Sequence, residues 1–250
     1  LVVKYLLFTK VGSVVFKLNF KGGFMKFGYF CNTTNWTHKP YHQLLDETKE
    51  ITEYCDKNKW NSIWFTEHHF NHEGMESCTN PLMLGADAAA RTKNIRIGQA
   101  ANVITFHNPI RLAEDIATLD QLSKGRVEVG VARGVYGREA INLNKEADLK
   151  DQAKNFRLFA ETLEILKKAW SEKFFNHDGE FYTYPSPNYV WQHDMSPPSE
   201  EFMNMEDSTM KKISVLPKPY QNPHPPIHQV VDGIRSIEWA AENNINVIMW

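Results

Sequence analysis

From Met25 onward, short apolar runs alternate with segments of helical period, and this alternation restricts the fold more than any other feature of the chain. The runs are "KFGYF" (26–30), "NSIWFT" (61–66), "IRIGQAANVIT" (95–105), "RVEVGVA" (126–132), "PIHQVV" (226–231) and "INVIMW" (245–250). Each reads as a strand, and strands that alternate with helices pair in parallel, because a parallel pair needs a long crossover that a helix supplies.

The helices are marked by both spacing and capping. Leu44, Thr48, Ile51 and Cys55 form one stripe after the first strand. Asn80-Pro81 and Asn108-Pro109 are cap and first-turn pairs, and Gly125 follows Lys124 where the third helix stops. A long helix over roughly 151–170 places Phe156, Phe159, Leu163, Leu166 and Trp170 on one face, and another lies near "SIEWAAEN". Residues 174–225 carry aromatics and prolines without a period and read as a lid or insertion. Six such units fit an open doubly wound sheet or the first six strands of an eight-stranded barrel, and pattern alone leaves both open.

Residues 1–24 begin without Met, and lysines at 4, 10, 17 and 21 divide their apolar runs. No run spans a bilayer, and Lys10 breaks the apolar centre that a signal peptide requires. The stretch is expected to be an upstream extension outside the fold, with a single domain from 25 to 250. The chain ends at Trp250 on an apolar run with no helix to cover it, which reads as an architecture cut short after strand six.

Composition excludes some function classes. Twenty-eight Lys and Arg against 30 Asp and Glu leave no basic surplus for a nucleic acid or an anionic membrane. A small-molecule partner is expected instead. Cys31, Cys55 and Cys78 form no C-x-x-C pair, so neither a disulfide framework nor a zinc knuckle is indicated, and a cytoplasmic setting fits.

Strand alternation then assigns faces. Ile63, Phe65 and Glu67 share one side, while Ser62, Trp64, Thr66 and His68 share the other; the apolar start of the first set suits the helix layer and turns His68 toward the interior. Val127, Val129 and Val131 form a second helix-facing row. Gly98, Ala100, Gly130 and Ala132 face inward and are expected to leave room for a flat ligand near the carboxyl ends of the strands.

"WFTEHHFNHEG" (64–74) concentrates Glu67, His68, His69 and His72. Adjacent strand residues diverge and no helical i, i+4 pair is present, which disfavours a metal site. Two readings remain open: loop-end groups satisfied by backbone and water, or a histidine in proton transfer, with His68 the best candidate. "ARGVYGRE" (132–139) joins two arginines to two glycines, a combination suited to phosphate but also common in solvated loops.

The ordered set "MKFGYF", "WFTEHHF", "NPLMLGADAAART", "IGQAAN", "HNPIRLAEDIATLDQLSKGRVEVGVARG" and "WAAENNINVIMW" resembles the bacterial luciferase-like flavin monooxygenase family over Met25 to Trp250, apart from the lid around 185–212. The resemblance implies an α/β fold, a (β/α)8 TIM barrel truncated after about strand six. It implies reduced FMN at the carboxyl ends of the strands, reaction with O2 through a C4a-peroxyflavin, and oxygen transfer to a small organic substrate such as an aldehyde. His68 matches the catalytic histidine, and Arg133 with the Val135 backbone matches the phosphate-holding turn. Arg157 corresponds to a second phosphate arginine, and Gly233 and Ser236 to a phosphate site at a helix start. Ala100 and Ala101 match a cis peptide beneath the flavin, and Glu139 stands where luciferase has an aspartate that affects flavin binding.

Two departures are visible: Ala132 replaces luciferase's reactive cysteine, and Gly233 replaces a serine. The resemblance further implies a flavin reductase as the source of reduced FMN and a homo- or heterodimer. Two alternatives stand beside the oxygenase reading: hydride transfer with deazaflavin F420 on the same barrel, and a non-catalytic flavin-binding partner subunit.

Overall fold

The computed structural model describes residues 6–7, 13–17 and 26–249. Six parallel strands follow one another: β1 (Lys26–Cys31), β2 (Ser62–Phe65), β3 (Arg96–Gln99), β4 (Val127–Ala132), β5 (Ile227–Val231) and β6 (Asn246–Met249). Each pairs with the next, in registers such as Tyr29↔Ile63, Ile63↔Ile97, Ile97↔Val127, Val129↔Ile227 and Val231↔Met249. Between them run α1 (Tyr41–Lys57), α2 (Pro81–Arg91), α3 (Pro109–Ser123), α4 (Gly137–Leu143), α5 (Gln152–Ser171) and α6 (Ile234–Glu242). The strand order and the helix layer are those of a TIM barrel through its sixth strand.

Leu6–Leu7 and Ser13–Lys17 fall within the stretch expected to stand apart from the fold. Their backbone nonetheless pairs with it: Leu6 lies in parallel register with Met249 of β6, and Ser13–Lys17 runs antiparallel to β1. The remainder of 1–24, and Trp250, lie outside the described residues.

Local chemistry fixes the helix ends as the sequence suggests. The Asn80 side chain accepts the Met83 N–H (2.9 Å), and Asn108 accepts from Ile110 and Arg111 (3.0 and 3.2 Å). α3 ends on Lys124 in a left-handed conformation, with Gly125 also at positive φ. Arg126 donates to the carbonyls of Ala89, Thr92 and Ile95 (2.9, 3.2 and 3.0 Å), satisfying groups that the end of α2 leaves open.

The main core lies between sheet and helices, where Ile63, Phe65, Ile97 and the valines 127, 129 and 131 pack against α2, α3 and α5. Trp170 closes that layer and donates to the Ala113 carbonyl at 3.0 Å. The stripe on α1 differs by one position, because Thr52 rather than Ile51 is fully buried; its hydroxyl donates to the Thr48 carbonyl (2.7 Å) and so tolerates an apolar setting.

A second, smaller cluster of Phe30, Trp64 and Ile248 lies inside the barrel. Below it, at the amino ends of the strands, Glu128 pairs with Arg96 and meets His228 Nε2 at 2.6 Å. Burial alone raises the Glu128 carboxyl, and His228 and Arg96 outweigh that and hold it below its ordinary value. A paired polar layer thus lies at the amino ends of these strands, while their carboxyl ends carry the cavity described next. The three cysteines are free and buried. Among the described residues no helix is long and apolar enough to cross a membrane.

Candidate functional site

β2 ends at Phe65, and the chain continues past the carboxyl edge through Thr66 to His69. Alternation persists there. Thr66 turns inward and donates to Asn32 Oδ1 (3.1 Å), whereas Glu67 turns outward and is buried. The Glu67 carboxylate accepts the Val103 N–H (2.7 Å) and lies 2.8 Å from His107 Nε2 and 3.1 Å from His69 Nε2. Burial would raise this carboxyl, and the hydrogen bonds from His107, His69 and Val103 hold it below its ordinary range. His72 is exposed beside Glu73. The histidine-rich stretch thus divides: Glu67 and His69 join a structural network with His107, His72 faces solvent, and His68 alone of the three histidines lines the interior cavity. Among the described residues no group of three or more His, Cys, Asp or Glu side chains is arranged to hold a metal ion.

His68 is fixed at both backbone and ring. Its N–H donates to the Cys78 carbonyl at 2.8 Å. Its ring lies between two carboxylates, with Nε2 3.5 Å from Glu76 Oε1 and Nδ1 3.5 Å from Glu139 Oε1. Glu139 sits in the first turn of α4, is fully buried, and accepts the His69 N–H at 2.7 Å. The Tyr136 ring lies 5.4 Å from the imidazole. Burial and then the carboxylates of Glu76 and Glu139 push its phenol up to about 12.

β3 stops at Gln99, where the Ala100–Ala101 peptide is cis, and the strand resumes as Asn102–Val103 beside β4. The single continuous strand expected over 95–105 is therefore interrupted at this point. The inward glycines also do something other than expected. A Cβ on Gly98 would meet Trp64 Cε3 at 2.2 Å, and one on Gly130 would meet the Gln99 carbonyl oxygen at 1.6 Å. They admit an indole and a close backbone approach, and the open floor is left to Ala100, Ala101 and Ala132.

After β4 the chain turns through Arg133 to Tyr136, with Gly134 at φ +89°. A side chain there would meet Phe106 at 2.9 Å as well as an unfavourable backbone. The Arg133 carbonyl is held by Thr105 Oγ1 (3.1 Å) and Asn155 Nδ2 (3.2 Å). Its guanidinium lies 5.8 Å above the Phe156 ring and donates to Gln152 at 3.3 Å.

The result is a cavity of about 310 Å³ at the carboxyl ends of the strands, lined by His68, Ala100, Ala101, Arg133, Val135 and Glu139 together with Glu76, Tyr136 and Asp232. Gly233 and Ser236 lie directly beyond Asp232 at the start of α6, where Ser236 donates to the Gly233 carbonyl at 2.8 Å. Arg157 is not brought in. It pairs with Glu180 (2.7 and 3.0 Å) and lines a separate surface cleft between α5 and α6. The reason is helical geometry, since neighbouring residues differ by about 100° around the axis, and Phe156 takes the side that faces Arg133. Glu76 and Tyr136 were not singled out by the sequence; both stand in irregular segments whose direction no period reveals.

The site suits a planar heteroaromatic ring with a phosphate tail. An alanine floor and a guanidinium line one cavity, and α6 begins just after Asp232 of the same lining. Glu139 Oε2, buried in this lining, has no hydrogen-bond partner from the protein, an orphaned acceptor of the kind a bound donor satisfies.

The family model described as luciferase-like monooxygenase matches residues 25–250. The chain is 31% identical over 225 residues to the alkanal monooxygenase beta chain of Photorhabdus laumondii, covering 90% of this chain and 59% of that protein. It is 30% identical over 205 residues to the oxygenase component of the flavin-dependent trigonelline monooxygenase of Acinetobacter baylyi, covering 82% and 48%. The chain thus spans about half the length of these curated relatives. Among solved structures, the oxygenating constituent of 3,6-diketocamphane monooxygenase from Pseudomonas putida, in complex with FMN, superposes with a TM-score of 0.69 at 21% identity, covering 88% of this chain and 55% of that one. At that identity the likeness shows the fold alone.

Proposed function

The chain belongs to the luciferase-like monooxygenase family, and from that premise we propose that it is a flavin-dependent monooxygenase that uses reduced FMN and O2 to oxygenate a small organic substrate, with aldehydes the first class to test. The observation that carries this reading is that His68 and Arg133, from the ends of two different strands, line one cavity over an alanine floor.

When bound, reduced FMN supplies the electrons that activate O2. The protein's part is binding, orientation and proton handling. Ala100 and Ala101 provide the surface for the ring, and Glu139 flanks it. The Arg133 guanidinium and the Val135 backbone would hold the phosphate, with the start of α6, Gly233 and Ser236, as the second hold. His68, whose imidazole lines the cavity between two carboxylates, holds or moves a proton. Phe30, Val103 and Val230 give the cavity apolar walls. A flavin reductase supplies the reduced cofactor, and the protein works in the cytoplasm as a homo- or heterodimer.

The test is O2 consumption by the full-length protein with reduced FMN and, in parallel, reduced F420, followed by product analysis with medium and long aldehydes. Substrate-dependent O2 uptake with reduced FMN supports the proposal. Hydride transfer with F420 and no O2 uptake replaces it with the dehydrogenase reading.

A further inference from the structure

Glu76 has no place in the readings above, yet it is built into the cavity wall with care. The loop that carries it after β2 is tied down at three points. Gly74 accepts the Asn35 N–H (2.6 Å), the Ser77 carbonyl accepts the Tyr41 hydroxyl (3.0 Å), and the Cys78 carbonyl accepts the N–H of His68 itself (2.8 Å). Gly74 adopts φ +83°, and a Cβ there would lie 2.2 Å from the Asn35 carbonyl oxygen, so the first tie depends on glycine.

An acid on a polar loop would ordinarily face water. Here the side chain is turned inward and is only 10% exposed. A buried carboxylate is costly without a partner; the Tyr136 hydroxyl meets it, and the His68 imidazole faces it, Nε2 to Oε1, at 3.5 Å. Glu139 stands at the other ring nitrogen, and it is itself fixed by the His69 N–H. The ring is thereby bracketed along its Nδ1–Nε2 direction by two acids from two different elements.

We propose that Glu76 is a positioning residue for His68, one of two carboxylates that fix the plane of the imidazole over the cavity. The inference rests on the proposed oxygenase reading for its catalytic consequence, and on geometry alone for the ring's placement. Glu76 touches neither cofactor nor substrate in this account; it acts through His68. A carboxylate that merely braced its own loop would leave the ring free and would affect flavin binding and turnover together.

The test compares the full-length protein with its Glu76→Gln variant, an isosteric change that removes the charge. In the flavin-free proteins, ring 15N resonances are recorded for His68 and for His177, which packs against Glu161 far from the cavity. Glu76→Gln is expected to move the His68 resonances and leave those of His177 in place. Turnover is expected to fall about tenfold, the loss of one charge-assisted contact, with flavin affinity and KM unchanged within twofold. If Glu76→Gln loses its fold, Glu76→Asp serves instead, and it is expected to keep the charge but shift the same resonances by less. Unmoved His68 resonances, or equal losses of turnover and flavin affinity, overturn the proposal. If the unaltered protein takes up no O2 with reduced FMN, the oxygenase reading fails, and the ring resonances alone decide the role of Glu76.

Discussion

The indole of Trp64 occupies the space that any side chain at position 98 would need: a Cβ on Gly98 would lie 2.2 to 2.6 Å from three of its ring atoms. Trp64 is buried, donates to Ser62 Oγ at 2.9 Å, and packs with Phe30, Ala100 and Val230, which line the cavity above it. The ring that fills the barrel interior is therefore also the support beneath the candidate site.

Gly98→Ala is expected to destabilise the fold by about 1 to 3 kcal/mol, the cost of overpacking a filled interior. Urea unfolding measures it. A midpoint equal to that of the unaltered protein would show that Trp64 moves aside without strain and that the support is soft.

Arg133→Ala is expected to weaken reduced-FMN binding by about 1.5 to 3 kcal/mol, the range for a hydrogen bond to a charged group. Arg157→Ala is expected to cost less, because Arg157 already holds Glu180 and lines another cleft. Anaerobic titration of both variants with reduced FMN ranks them, and the opposite order would return the phosphate to Arg157.

His68→Ala is expected to lower turnover with flavin affinity nearly unchanged, since the imidazole is assigned the proton, and the alanine floor and Arg133 the cofactor. Stopped-flow turnover and equilibrium titration on the same preparation separate the two quantities. Parallel loss of both would make His68 a structural residue.

The Glu67–His107 pair predicts a pH window for stability. Burial would lower the His107 imidazole from its ordinary 6.5, but its hydrogen bond and charge interaction with Glu67 raise it instead. Its contribution is full below 6.5 and is lost as pH rises through the raised folded value. Glu67, held below its ordinary 4.5, contributes above 4.5 and loses that contribution as pH falls through the lowered value. His107→Gln is thus expected to cost most between those two pH values and progressively less in alkaline solution. Urea midpoints from pH 5 to 9 read the difference, and a gap that widened with pH would contradict the pairing.

The order of the strands and of every helix but α4, the two Asn-Pro caps and the helix-facing valine row were legible in the sequence, because each depends on residues within a few positions of one another. Strand period turned His68 and Trp64 to one face and Ile63 and Phe65 to the other, as found. The family motifs added the barrel, which period alone left undecided.

What the sequence by itself determined was this local grammar, and with it the end of the sheet where ligand chemistry belongs. Only the tertiary structure decided who meets whom: Trp64 filling the place of Gly98, Glu76 from a loop and Glu139 from a helix start reaching His68, Glu67 drawing His107 in beside His69, and Arg157 turning to Glu180. Those meetings join positions separated by loops without a period, and their geometry is set by how helices and strands pack against one another rather than by any spacing along the chain.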